Sequence, residues 1–583
     1  MFDVVIKGAQ VVDGTGEDVK TADVAIKDGL IAEVGRVDGS AKETIAADGA
    51  HLTPGWVDVH THFDGQVSWD DTLDPSFSHG VTSIVMGNCG VGFAPCPPGG
   101  EKRMIELMEG VEDIPGTALY EGIEWGRWET FPEYMDYLGT RQYTMDVGAL
   151  IPHSAVRNYV MGERALRHED ATEADLQAMC DIVADGLNAG AVGFSTSRTI
   201  GHRSVLGEPI PGTFAEKAEL LRIADVMKQL DKGVFQAVPA GVVGEIAGPE
   251  KWTTEQEVEL FADIARSSGR SCTFTLAQNG DHPQTWRNCL DIVEQAQAEG
   301  LNITPQIATR PIGFVTSLRA YHMFQRRETY LKLVGLPIEQ QIAEMRKPEV
   351  KAAILSDADV PPEQVGTMAN IYGLLGMAAP AMFPITMPID YEPEASSSIG
   401  ALAAAKGEDV ASFMYDFLLE NNGNNFAILL GANFVDGTFS VMEEMIQHPH
   451  TTIGLSDAGA HVNLIFDAVG PTYQLTHWVR DRTRGPKMPI ELLVHKQTRR
   501  NALLFGMPDR GAIEPGLRAD LNLFDLSRLK LGPLSVHADL PAGGQRILQS
   551  SEGYLATFVH GVQTRADDQD TGARPGRVIR AGQ

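Results

Sequence analysis

Two histidines one residue apart, His60 and His62 in VDVHTH, are the first side chains whose spacing could do chemistry. On an extended strand, residues two apart project to the same face, so both imidazoles share one wall while Val57 and Val59 face the other way. Two rings at one end of a strand can bind a single divalent ion. A His-x-His pair is unspecific by itself. This one follows a β-rich prefix and a Pro54-Gly55 break, at the head of an alternating β/α run, and that placement reads it as a metal site. Cys89, in GNCG, closes the next apolar run. A free cysteine is commonly a small buried hydrophobe, but the glycines around it imply a tight loop where a thiolate would be a good zinc ligand. Asp457 ends a late run, TTIGLSD, where an aspartate can be a turn-former or a carboxylate facing the same ion.

Those residues need a scaffold. Short apolar runs recur at 57–62, 82–88, 146–153, 190–197, 233–240, 272–278, 425–431 and 451–457, with helical patterns between them, among them 171–190, which opens on a capping box, and 215–233. Strands alternating with helices predict a parallel sheet. Eight such runs fit a (β/α)8 TIM-type barrel, whose site lies at the C-terminal ends of the strands. Residues 310–420 fit this beat poorly and read as an insertion near the barrel mouth, a lid or specificity element. Residues 1–53 and 510–583 are β-rich, with hairpin chemistry at Asp28-Gly29. They are expected to meet in one small β-sandwich domain, leaving 54–509 for the barrel.

Composition narrows the partners. With 78 acidic against 47 basic residues the net charge is −31, which argues against nucleic acid or an anionic membrane. The five cysteines are sparse and odd in number, unlike a disulfide framework, and Cys96, Cys180, Cys272 and Cys289 read as structural. No signal peptide or membrane span is visible, so a cytoplasmic protein acting on a small molecule is expected, with homo-oligomerisation left open.

PGWVDVHTHFDG (54–65) resembles the first-strand signature of the amidohydrolase superfamily. Within it, HGVTSIVMGNCGVGFAP (79–95), HSAVRNYVMG (153–162), GAVGFSTS (190–197) and SDAGAH (456–461) resemble the N-acyl-D-amino-acid deacylases, or D-aminoacylases. The resemblance implies zinc held by His60, His62 and Cys89, the cysteine replacing the carboxylated lysine of other amidohydrolases. It makes Asp457 both ligand and catalytic base: a bound ion lowers the pKa of water toward ~7, and a nearby carboxylate takes the proton and returns it to the leaving nitrogen. The family also places a histidine at the ends of strands five and six to complete a second metal site. Here the corresponding runs carry Gln236 and Gln278, and a carboxamide is a poor zinc ligand. His202 and His282 are candidate replacements. One ion is therefore favoured over two.

A deacylase of N-acyl amino acids must hold a carboxylate, which an arginine fork does best. Arg198 and Arg310 are the candidates, with His153 and His461 as further substrate-side residues and Trp125 and Trp128 as wall or packing. The leading expectation is a metal-dependent hydrolase of a C–N amide bond, in the direction of N-acyl-D-amino acids. One alternative is a mononuclear hydrolase of a cyclic amide, a lactone or a larger amide metabolite. Another is a catalytically depleted binding or assembly homologue, supported by the two missing ligands and opposed by the retention of His60, His62 and Asp457.

Overall fold

The computed structural model describes residues 1–242, 252–362, 364, 366 and 368–581. Gly582 and Gln583, the last two residues of the expected terminal β-rich segment, lie outside the described residues. Eight parallel strands form the central sheet: β1 (Trp56–Asp58), β2 (Val81–Met86), β3 (Asp146–Pro152), β4 (Gly193–Ser197), β5 (Val234–Val238), β6 (Cys272–Thr275), β7 (Ile303–Ile307) and β8 (Thr452–Ile453). Their neighbours follow chain order, and most are buried along their whole length, as strands covered by helices on the outside must be. Just beyond β8 the chain meets the extension of β1: His62 N–H donates to Ala458 O at 2.8 Å, and Thr61 bridges Ala458 in parallel register. The sheet thus closes into a TIM-type barrel.

One side chain clamps that closure. Asn501, fully buried, donates from Nδ2 to Val57 O at 2.8 Å and to Ile453 O at 2.7 Å, while its Oδ1 accepts from Thr452 Oγ1 at 2.6 Å. Asn501→Ala strands two buried carbonyls and a hydroxyl, and is expected to cost about 2–4 kcal/mol. Denaturant unfolding of the variant checks this; a loss within experimental error would remove the clamp from the account of closure.

The helices follow from their sequences. The segment from 171 forms the helix Glu173–Asn188, with a reciprocal Thr172/Asp175 capping box, and the segment from 215 forms Lys217–Leu230. No helix among the described residues is long and apolar enough to cross a membrane. Strands from both chain ends, including Phe2–Val11, His51–Pro54, Leu521–Phe524 and Tyr554–Val559, share one nine-stranded sheet. Leu52 pairs with Leu523 within it. The Trp56 indole, donating to Tyr554 Oη at 3.3 Å, fastens the start of β1 to this sheet.

One barrel strand differs from expectation. Residues 425–431 do not enter the barrel. The strand Phe426–Ala432 pairs antiparallel with Ile312–Ser317 and Phe383–Pro384 in a separate three-stranded sheet. The seventh barrel strand is instead Ile303–Ile307, in NITPQI. An apolar run of five to seven residues reports burial and not its partners, and the threonine, proline and glutamine of β7 hide a strand that is nevertheless completely buried. The helices between 318 and 419 share an apolar cluster of their own, built around Phe324, Ile342, Leu375, Ile399 and Met414.

Candidate metal centre at the barrel mouth

β1 sends its alternate residues to opposite sides. Val57 and Val59 pack outward with Val85, Leu150 and Ala502, so His60 and His62 turn into the barrel. His60 Nε2 lies 3.3 Å from Cys89 Sγ and 3.4 Å from Asp457 Oδ1. His62 Nε2 lies 3.8 Å from the same sulfur and 3.7 Å from the same carboxylate oxygen. His60, His62 and Cys89 each present a donor atom within 4.8 Å of the other two. Zinc bonds of about 2.0–2.1 Å to nitrogen and 2.3 Å to sulfur imply tetrahedral edges of roughly 3.3–3.7 Å, and the four measured separations fall at that spacing. Two imidazoles and a sulfur therefore fit zinc, while Asp457 stands against both imidazoles without joining the three donors that lie mutually within 4.8 Å.

Loop geometry delivers the other two donors. Cys89 has φ 57°, between Gly87 and Gly90, both also at positive φ. A Cβ at Gly87 would sit 2.5 Å from Leu150 O, and one at Gly90 3.0 Å from Ser197 N, so the loop is wedged against the ends of β3 and β4. Asp457 also adopts φ 48°, and its N–H donates to His60 O at 3.1 Å. Non-glycine residues held in this region store of order 1–3 kcal/mol each. The surrounding structure imposes that conformation to aim the sulfur and the carboxylate at the histidines.

The electrostatics call for a cation. Burial raises the Cys89 thiol, helped by the charges of Glu112, Asp457 and Asp64. Burial pushes Asp58 and Asp64 up to about 7 and raises Glu112 strongly, with Asp457 and Asp64 adding to it. For Asp457 burial acts the same way, but the close approach of His62 and the influence of His60 and His461 outweigh it and hold the carboxyl well below its ordinary range. Burial brings His461 down to about 4 against the opposing charge of Asp457, with His62 adding to the lowering. Burial, then His461 and His62, brings His202 down to about 3. Imidazoles such as His62, His202 and His461, kept from protonation by burial among crowded carboxyls, suit a site that accepts a divalent ion.

The remaining predicted residues divide. Gln236 accepts from Cys89 N–H at 3.3 Å, so it holds the cysteine loop. Gln278 joins the barrel to the chain after Ala432: its N–H donates to Asn433 Oδ1 at 2.7 Å and its carboxamide reaches Asp436 Oδ2 at 3.4 Å. His282 is exposed on the loop after β6 and is not brought to the donor cluster. His202 bonds Ser197 Oγ at 2.9 Å and faces the centre without belonging to the cluster. His461 approaches from the loop after β8, its Nε2 3.8 Å from Glu112 Oε2.

His153 is buried on the helix side of β4, between Thr196 Oγ1 at 2.8 Å and Glu219 Oε1 at 2.7 Å, away from the donor cluster. Arg198 is buried and engaged by Glu257 at 3.0 Å and by Ala215 O at 2.6 Å. Arg310 is buried, ion-paired with Asp467, and lies 3.9 Å over the Phe466 ring. Arg198 is thus committed to an internal carboxylate, whereas Arg310 touches Asp467 but keeps Nε, Nη1 and Nη2 without a hydrogen-bond partner among the described residues. Trp128 donates to Phe93 O at 2.8 Å, and Trp125 packs edge-on against the Phe93 ring.

Two contributors escaped the sequence reading. Gln306, on β7, accepts from His60 Nδ1 at 2.7 Å. Glu112 places Oε1 3.3 Å from His62 Nδ1. Gln306 lay in the strand that the apolar pattern hid. Glu112 sits in EGVED, a charged stretch that looks like a solvated helix end, and nothing local marks it.

A profile described as the Amidohydrolase family matches residues 43–565. The N-acyl-D-aspartate deacylase of Alcaligenes xylosoxydans xylosoxydans is 25% identical across 100% of this chain and 95% of its own length. Two solved structures share the fold over 100% of both chains. One is a D-aminoacylase described as having a binuclear centre with one-metal activation and second-metal attenuation (TM-score 0.64, 22% identity). The other is the N-acyl-D-glutamate deacylase of Bordetella bronchiseptica complexed with zinc and a phosphonate inhibitor (TM-score 0.61, 23% identity).

Proposed function

Since this chain belongs to the amidohydrolase family, as a hydrolase of C–N bonds other than peptide bonds, we propose that it cleaves an amide with one zinc ion held by His60, His62, Cys89 and Asp457, and with Asp457 as general base. The observation that carries this reading is the convergence of two Nε2 atoms on the Cys89 sulfur at 3.3 and 3.8 Å, with an Asp457 oxygen 3.4 and 3.7 Å from the same two nitrogens. The chemistry a bound divalent ion supplies there is Lewis acidity, which acidifies a water and polarises the scissile carbonyl. Asp457, ionised by its imidazole neighbours, accepts the proton of the attacking water and passes it to the leaving nitrogen. His461 and His202 line the approach to that carboxylate and orient the reacting amide. A single ion is supported by Gln236, whose carboxamide oxygen is occupied in bonding the cysteine loop, and by the weakness of carboxamides as zinc ligands at both Gln236 and Gln278. Residues 1–53 and 510–583 are read as a β-sandwich that seats β1, and the inserted unit beginning near 310 as the element that shapes the mouth.

N-acyl-D-amino acids suit the relatives. A second reading of the substrate is favoured by one observation: Arg198 and Arg310, the expected carboxylate clamps, are paired with Glu257 and Asp467. A substrate without a free carboxylate beside the amide, such as a cyclic amide, a lactone or a larger neutral amide, needs neither. N-acyl-D-amino acids, their carboxamides, cyclic amides and esters should be tested with zinc-loaded protein and again after chelation. Amide hydrolysis that the chelator abolishes is the expected result. Faster turnover of a carboxamide than of its free acid selects the neutral substrate class. Cleavage insensitive to chelation, or none across the panel, would overturn the reading.

A further inference from the structure

We propose that Glu112 and Gln306 are positioning residues that fix the ring tautomers of the metal-binding histidines, and that Glu112 also sets the Asp457 loop against β1. The inference rests on the metal-site reading above and assigns its outer supports. Gln306 Oε1 stands 2.7 Å from His60 Nδ1 and Glu112 Oε1 3.3 Å from His62 Nδ1. The Gln306 oxygen requires the His60 ring proton on Nδ1, which leaves the lone pair on Nε2, whereas His62 Nδ1 and Glu112 Oε1 face each other without a formed hydrogen bond and with no other hydrogen-bond partner among the described residues. Nε2 is the atom that each ring turns toward Cys89 and Asp457. The His60 ring is therefore held in the one neutral tautomer that can donate to an ion, and Glu112 is the group placed behind His62 to do the same.

Stability alone does not account for Glu112. It is the last residue of helix α1 (Glu101–Glu112), where the helix dipole disfavours a carboxylate, and it is only 2% exposed. Among the described residues its ionic contacts are His62 and His461, with no lysine or arginine. Its main-chain carbonyl accepts from the His461 N–H, and its Oε2 lies 3.8 Å from His461 Nε2. One residue thereby joins the ring of a β1 ligand to the loop that starts at Asp457. The helix cannot drift: a Cβ at Gly110 would lie 2.3 Å from Arg203 O, and Val205 N–H donates to Glu106 O at 3.1 Å. Gln306 is fully buried on a barrel strand, an equally rigid support.

The test measures zinc affinity by competition with a chromophoric chelator, alongside the melting temperature of the metal-free protein and the visible spectrum of the cobalt-substituted form. Glu112→Ala and Gln306→Met should each weaken zinc by about 10–100-fold and alter the cobalt bands. Glu112→Gln, which keeps an acceptor oxygen at the same reach, should restore most of the affinity. Where Glu112→Ala does not fold, the near-isosteric Gln306→Met decides. A wild type that binds no zinc would bring down the functional reading itself. A wild type that binds zinc, with variants that bind as tightly and show only a lower melting temperature, would overturn this inference alone.

Discussion

Asp457→Asn is expected to lower kcat by about 10³- to 10⁴-fold, the upper range for removal of a general base, with KM changed far less. Asparagine preserves the size of the side chain and keeps an oxygen for the ion, but it cannot accept a proton. The carboxylate lies 3.4 Å from His60 Nε2 and 3.7 Å from His62 Nε2, and is held ionised by them against its burial. It is thus ionised at neutral pH, as the proposed base must be. Steady-state kinetics on whichever amide the substrate panel identifies, with zinc content measured on the same sample, separates lost proton transfer from lost metal. A variant that holds zinc and retains more than a small fraction of wild-type turnover would remove Asp457 from the role of base.

The second large effect concerns the ion. Elemental analysis of the wild type should give one zinc per chain. His60→Ala should lose it, with a fall in affinity beyond the roughly 10–100-fold that removal of an outer partner costs. Cys89→Ser should weaken binding as well, because a serine hydroxyl does not ionise as a thiol does, and because the loop is strained at φ 57° to present sulfur. Activity should fall in step with zinc occupancy. Two ions per chain would mean that another donor, His202 being nearest in orientation, completes a second site. Zinc in neither protein would shift the reading to a binding or assembly homologue that retained the scaffold.

The two arginines bear on the proposed substrate class. Glu257 and Asp467 stand in ion-pair contact with the two guanidinium groups expected to clamp a carboxylate. Releasing one by Asp467→Asn would unmask a cation at the barrel mouth and is the natural variant to carry through the same substrate panel.

Sequence alone fixed what depends on short-range geometry. Period-two alternation put His60 and His62 on one wall, opposite Val57 and Val59, because successive residues of any strand face opposite ways. The glycines around Cys89 announced a tight loop, and the β/α rhythm announced a barrel with its site at the strand ends. Tertiary structure decided what depends on partners far away in the chain. It replaced the run at 425–431 with Ile303–Ile307 as the seventh strand, since a short apolar run records burial and not its neighbours. It brought Arg198 and Arg310 against carboxylates 59 and 157 positions away (257 − 198 and 467 − 310). It also turned Glu112 and Gln306, unmarked in sequence, toward the back of each imidazole. A side chain's type and spacing determine which bonds it can make; only the closed barrel determines which group stands at the other end.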